Sequence, residues 1–200
     1  MMTHAGHAYQ VSDVSELPKV AIQEAKALVD TAEVLRKAGV HVRVLSVGST
    51  PTAPFIEEVV RDYPVTEIRP GTYVFNDANQ VALGSATESD CALSVLATVV
   101  SRPERDRIVI DAGSKTLGAD AGVAAGYGRV KGQFGTQIAF LNEAHAVLHV
   151  PGSCDWQVGS RVEIIPNHAC IPPSLADEML AVRRGIVESV IRVDARGRNR

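Results

Sequence analysis

The feature that most constrains this chain is a change of pattern near residue 70. Before it, a helical repeat of apolar residues is followed by strand, loop, helix and strand in turn; after it, short β-rich segments take over. The helix is marked by Leu17, Ala21, Leu28, Ala32 and Leu35, with Ser15 as a candidate cap, Pro18 in the first turn and Gly39 as the stop. His41 to Val47 then reads as a buried strand, Gly48 to Thr52 as a loop, Pro54 to Val60 as a short helix and Val65 to Ile68 as a second strand. That succession suits a parallel barrel or sheet. Further on, strands are expected at Ala92 to Ser101, Arg107 to Asp111, Gln137 to Leu141, His145 to Val150, Arg161 to Ile165 and Ala181 to Val193. They would build a small β-barrel or sandwich, with the glycine-rich stretch from Gly113 to Gly135 as loops.

Composition narrows the function classes. A chain of 200 residues with 46% hydrophobic and 22% charged residues can bury a substantial core, and a net charge of -3 gives no basis for nucleic-acid binding. No apolar run of about 18 residues and no charged-then-apolar leader is present, so neither a membrane span nor secretion is expected, and the cytoplasm is the expected compartment. Cys91, Cys154 and Cys170 are odd in number and unrelated in spacing, which argues for thiols over a disulfide framework.

Three short motifs carry chemistry. In Arg161-Val162-Glu163-Ile164-Ile165-Pro166-Asn167-His168-Ala169-Cys170, an imidazole and a thiol stand two residues apart on what reads as a strand, where a period of two places both on one face. A thiolate beside an imidazole suits zinc, and two protein ligands leave coordination positions open; the alternative is a buried thiol beside a satisfied histidine. Gly48-Ser49-Thr50 follows a strand and precedes a helix, where amides and hydroxyls can hold a phosphate. Equally, Gly48 could make the turn and Thr52 cap the helix. Tyr73, in Arg69-Pro70-Gly71-Thr72-Tyr73, could offer its phenol to the same phosphate or be an amphipathic core tyrosine.

Taken in series, His4-Ala5-Gly6-His7-Ala8-Tyr9, Ser46 to Thr52, Glu67 to Asp77, Asp111-Ala112-Gly113-Ser114-Lys115 and Pro166 to Cys170 resemble the D-threonine aldolase and D-serine dehydratase family. The likeness runs to the closing Ala195-Arg196-Gly197-Arg198-Asn199-Arg200. It implies a fold type III, alanine-racemase-like enzyme: α/β plus all-β, the last part of a pyridoxal phosphate-binding (β/α) barrel over residues 1–69, then a small β-barrel or sandwich domain over 70–200. It further implies that Gly48, Ser49, Thr50 and Tyr73 hold the phosphate of pyridoxal 5'-phosphate, and that His168 and Cys170 bind a divalent metal: zinc, or manganese, magnesium or cobalt. The implied activity is a metal-dependent lyase acting on β-hydroxy D-amino acids, by cleavage of the Cα–Cβ bond or loss of the β-hydroxyl. A non-catalytic metal- or partner-binding remnant and another fold type III enzyme, such as an amino-acid racemase, are the alternatives.

The chain also departs from the family pattern. The family's Schiff-base lysine lies upstream of anything represented here, and Lys19, Lys26, Lys37, Lys115 and Lys131 match no such context. The chain therefore reads as the carboxyl-terminal half of such an enzyme, with no catalytic residue assigned in it. Its expected partners are a small D-amino acid and either a second copy of itself or a complementing amino-terminal fragment, because half a barrel leaves strand edges open. Lys115 is expected at the surface and Asp111 in a turn. His4 and His7 would lie on a barrel strand or in an unordered stretch, and Glu143 and His145 could orient a metal ligand. After Cys170, Ile171-Pro172-Pro173-Ser174-Leu175 departs from the family's usual run, which puts the substrate pocket in question.

Overall fold

The computed structural model describes residues 1–133, 135–152 and 154–198. Phe134, within the glycine-rich stretch, and Asn199 and Arg200, at the end of the family likeness, lie outside the described residues.

Helix α1 spans Leu17–Lys37, with Pro18 in its first turn and Gly39 just beyond its end at φ +80°. Glu16, not Ser15, is its N-cap, and the Ser15 amide instead donates to Asp13 Oδ1 in the preceding 3-10 turn. One face of α1 buries Leu17, Val20, Ala21, Ala25 and Leu28. The long strand expected from His41 to Val47 is reduced to β1, Ser46–Val47, paired in parallel with β2, Glu67–Ile68. Between them, a 3-10 turn, Ala53–Phe55, leads into α2, Ile56–Asp62. Strands persist only where a ladder partner exists, and the single further parallel contact on β1 is Met2 against Ser46. The segment around His4 and His7 is therefore no barrel strand: Gly6–Gln10 forms a 3-10 turn that buries Ala8.

A 3-10 turn at Thr72–Val74, α3 at Ala78–Ala82 and another 3-10 turn at Glu88–Asp90 lead into the β region. Its strands are β3 (Val95–Ser101), β4 (Arg107–Ile110), β5 (Gly128–Val130), β6 (Gln137–Leu141), β7 (Ala146–His149) and β8 (Arg161–Pro166), with a short helix α4 at Ser114–Leu117 before β5. They close into a barrel in the order β3-β4-β7-β6-β5-β8. Inside it, Val99, Ile108, Ile110, Ile138, Leu148 and Ile164 are sealed from solvent, and each such side chain contributes roughly 1.5–3 kcal/mol by burial. Strand β5 was hidden in the glycine-rich stretch. Gly128, at φ +147°, lets its backbone approach Ile165, and this short strand joins β6 to β8.

Beyond β8, helix α5 (Ile171–Leu175) precedes a hairpin, β9 (Glu178–Arg183) and β10 (Ile186–Arg192). The sequence reading ran Ala181 to Val193 as one strand. Arg184 and Gly185, at φ +52° and +77°, break it with the two left-handed residues that a tight hairpin turn needs.

Candidate functional site

His168 and Cys170 lie past the end of β8, in a turn, and Cys170 is the N-cap residue of α5. The strand alternation expected to align them therefore does not apply. Pro166, with no amide hydrogen, is the last strand residue, and Pro172 and Pro173 then favour a helix start. The turn nonetheless brings the pair close enough for each side chain to shift the ionisation of the other. The interaction with His168 lowers the Cys170 thiol below its ordinary range, against the opposing effect of burial. It also raises His168 to about 9, with burial opposing and Asp120 adding to the rise.

Four residues that carried no role in the sequence reading complete the surroundings. Asp77 is fully buried at the N-terminus of α3: Oδ1 accepts from the Gln80 amide at 2.9 Å and Oδ2 from the Ala169 amide at 2.9 Å, which fixes the backbone between His168 and Cys170. The spacing Asp77-x-x-Gln80 is a readable cap signature. Asp120 Oδ2 lies 2.7 Å from His168 Nδ1. The Thr72 side chain neighbours both the Cys170 thiol and the Tyr9 hydroxyl and favours the ionised form of each. Tyr9 also accepts from Gln80 Nε2 at 3.3 Å, and burial is the main cause of its raised pKa, so the phenol stays protonated.

The donor set fits a soft or borderline divalent ion: an imidazole, a thiol that ionises easily, and a carboxylate on the imidazole's other side. Among the described residues no group of three or more His, Cys, Asp and Glu side chains is gathered for a metal, so protein ligands would occupy only part of its coordination sphere.

The loop from Gly48 to Thr52 spends part of its bonding capacity within the fold. Gly48 takes φ +108°, a backbone conformation that favours glycine, although a Cβ there would make only an ordinary contact with the Arg69 amide nitrogen at 3.4 Å. Its amide, however, donates to both oxygens of the buried Glu24 carboxylate, at 3.1 and 3.2 Å. The Ser49 amide donates to Thr52 Oγ1 at 3.0 Å, a bond that replaces the helix cap once open to Thr52. What the loop offers is therefore the hydroxyls of Ser49 and Thr50 more than a ring of amides. Thr50 Oγ1 accepts from the Tyr73 amide at 3.1 Å, whereas the Tyr73 side chain is 59% exposed and lies in a 3-10 turn, not at a strand end.

Other expectations resolve away from the site. Glu143 pairs with Lys115 at 3.1 Å on the exposed rim and orients no metal ligand, so Lys115 is the surface residue it was read to be. Asp111 Oδ1 accepts from the Thr98 amide at 2.6 Å, a structural role. Lys26 pairs with Asp30 and Lys131 with Glu163, while Lys19 and Lys37 sit on α1. All three cysteines are free thiols, and no described helix is long and apolar enough to cross a membrane.

Comparison with known proteins gives a consistent set. Residues 92–182 match the model of a putative serine dehydratase domain. The chain is 31% identical to a D-serine dehydratase of Dictyostelium discoideum over 188 residues, covering 86% of this chain and 48% of that protein. It is 33% identical to a D-threonine aldolase of an Arthrobacter species over 190 residues, covering 92% and 48% respectively. Among solved structures, D-threo-3-hydroxyaspartate dehydratase from Delftia sp. HT23 superposes with a TM-score of 0.83 at 33% identity, over 96% of this chain and 55% of that one. A cysteine-to-alanine variant of a D-threo-3-hydroxyaspartate dehydratase in a metal-free form superposes with a TM-score of 0.82 at 33% identity. The chain thus spans about half the length of these relatives.

Proposed function

Because the chain belongs to the D-serine dehydratase and D-threonine aldolase family and corresponds to its carboxyl-terminal half, we propose that it supplies the metal site and part of the cofactor-phosphate site of a pyridoxal phosphate- and metal-dependent lyase. The substrates are small β-hydroxy D-amino acids. His168 and Cys170 would hold zinc or a comparable divalent ion, and Gly48, Ser49, Thr50 and Tyr73 would border the phosphate, with Ser49 and Thr50 supplying hydroxyls. Pyridoxal phosphate, when bound, supplies an electron sink for charge left on the substrate's α-carbon.

The observation that carries this reading is the junction at Thr72 and Tyr73. The Thr72 side chain lies close enough to Cys170 to help lower its thiol, and the next residue's amide donates to Thr50 Oγ1 at 3.1 Å. Adjacent residues thus tie the metal pair to the phosphate loop. Around that junction Asp77 fixes the turn, Asp120 meets the imidazole, and the protonated Tyr9 hydroxyl, with Thr72, can hold a proton next to Cys170 Sγ. Lys26, Lys115 and Lys131 are paired with carboxylates away from this junction, and in this reading the covalent cofactor anchor comes from another polypeptide segment.

A second copy of the chain is the protein partner that the surface supports. On one face of the β9–β10 hairpin, Leu180, Val182, Val187 and Val190 are 53–60% exposed. Each end of this ribbon carries one acid and one base, Glu178 opposite Arg192 and Arg183 bonded to Glu188, which is the charge pattern that suits a two-fold self-contact.

Dialysis against zinc followed by metal analysis tests the metal assignment. One ion per chain, lost in Cys170→Ala, is expected; equal retention in that variant would remove the metal pair from the account. Quenching of pyridoxal phosphate fluorescence by the chain, abolished in Ser49→Ala with Thr50→Val, is the matching result for the phosphate loop.

A further inference from the structure

The glycine-rich loop between α4 and β5 is built to bring one carboxylate to His168. It reads Gly118-Ala119-Asp120-Ala121-Gly122, with Asp120 midway between two glycines. A Cβ on Gly118 would overlap the side chain of Ile171, the residue after Cys170. A Cβ on Gly122 would overlap the side chain of Asn79. The loop is thus packed without clearance against Ile171, which follows the His168–Cys170 turn, and against Asn79 of α3.

Two buried amides lock the same arrangement. Asn79 Oδ1 accepts from the Ala124 amide at 2.9 Å, and Asn167 Nδ2 donates to the Gly126 carbonyl at 2.7 Å. Asn79 and Asn167 are both buried, so loop and turn are joined by bonds shielded from water. Asp120 therefore meets His168 Nδ1 through a positioned loop, at 2.7 Å.

Resting on the reading of His168 and Cys170 as a metal pair, we infer that Asp120 is the positioning residue of this centre: its carboxylate holds the proton on His168 Nδ1 and leaves Nε2 as the metal-donating nitrogen. A carboxylate on the far side of an imidazole fixes ring orientation and makes the ligating nitrogen more basic. Asp77 acts differently, since it holds the backbone amide of Ala169 and touches neither ring nitrogen. The two acids separate backbone placement from ring placement.

The test needs no catalytic activity. Proton NMR of the metal-free chain is expected to show a downfield, slowly exchanging Nδ1–H resonance that His168→Ala removes. Asp120→Ala abolishes that resonance, and Asp120→Asn, which keeps an acceptor without the charge, retains it at a less downfield position. In competition with a chromophoric chelator, zinc binding weakens roughly 10–100-fold in Asp120→Ala and less in Asp120→Asn. Thermal unfolding of both variants changes far less than zinc affinity, because Asp120 is half-exposed and loop anchoring resides in Asn79 and Asn167. An unchanged resonance and unchanged zinc affinity in Asp120→Ala, alongside lost binding in His168→Ala, overturn the role of Asp120 and leave the metal pair standing. Unweakened zinc binding in His168→Ala overturns both.

Discussion

The two halves of the molecule solve the problem of strand edges in opposite ways. From β3 to β8 every strand has neighbours on both sides, the barrel closes, and its interior reaches zero exposure at Val99, Ile108, Ile110, Ile138, Leu148 and Ile164. In the first half, β1 and β2 are two residues each, paired in parallel, with only Met2 added beside them. Ile68 on β2 and Val44 just before β1 are 42% and 46% exposed. Parallel strands are ordinarily buried and flanked on both sides, so the first half carries the surfaces of an unfinished sheet while the second is self-sufficient. The candidate site lies where the two meet. The loop from Gly48 to Thr52, proposed to hold the phosphate, belongs to the open half, and His168 and Cys170 follow the last strand of the closed one.

The largest effect that could break this contrast is expected inside the closed barrel. Leu148→Ala or Ile164→Ala should cost about 2–5 kcal/mol, read as a lowered denaturant midpoint, and an effect of a few tenths would mean the barrel is not the stabilising unit. Next comes Asp77→Ala, which strands the buried amides of Gln80 and Ala169 and should cost about 1–3 kcal/mol per unsatisfied group in the same measurement. A wild-type midpoint there would contradict the claim that Asp77 fixes the site turn.

A smaller effect is expected across the barrel wall. The Lys131 ammonium, 3.1 Å from Glu163, holds that carboxyl below the usual glutamate range. An acid with a depressed folded-state pKa contributes stability above its unfolded value and loses it as pH falls through the folded value. Glu163→Gln should therefore cost about 0.2–1 kcal/mol at neutral pH, less in high salt, and nothing once the pH lies below the folded-state pKa. A pH-independent difference would contradict the ion pair. The smallest effect on the fold belongs to the hairpin. Leu180→Glu with Val190→Glu should leave the unfolding midpoint within about 0.5 kcal/mol of wild type while converting dimer to monomer in sedimentation; unchanged association would move the self-contact elsewhere.

Much of this architecture was legible in the sequence, and the failures have physical causes. Helix α1 was readable because apolar spacing, Pro18 and Gly39 all point the same way. The alternating strands β3, β4, β6, β7 and β8 were readable because each has one face in the barrel core. His41 to Val47 failed as a strand because apolar content predicts burial, whereas a ladder also needs a neighbour, which Glu67–Ile68 supplies for only two residues. Strand β5 was missed because Gly128 is there for close backbone approach, which no hydrophobic period records. At the candidate site, His168, Cys170 and the Gly48-Ser49-Thr50 loop stood out as chemical residue types in motifs. Asp77, Asp120 and Thr72 did not, since their roles arise from contacts between segments distant in sequence.

Whether this chain carries the metal and phosphate side of a D-amino acid lyase is tested most directly by supplying the part of a relative that it does not match. The chain is joined to the amino-terminal half of the Delftia relative, supplied with pyridoxal phosphate and zinc, and assayed on D-serine, D-threonine and D-threo-3-hydroxyaspartate. Turnover of at least one of them, abolished by Cys170→Ala, is the predicted result. No turnover of any despite a folded, cofactor-loaded assembly, or turnover untouched by Cys170→Ala, would contradict it.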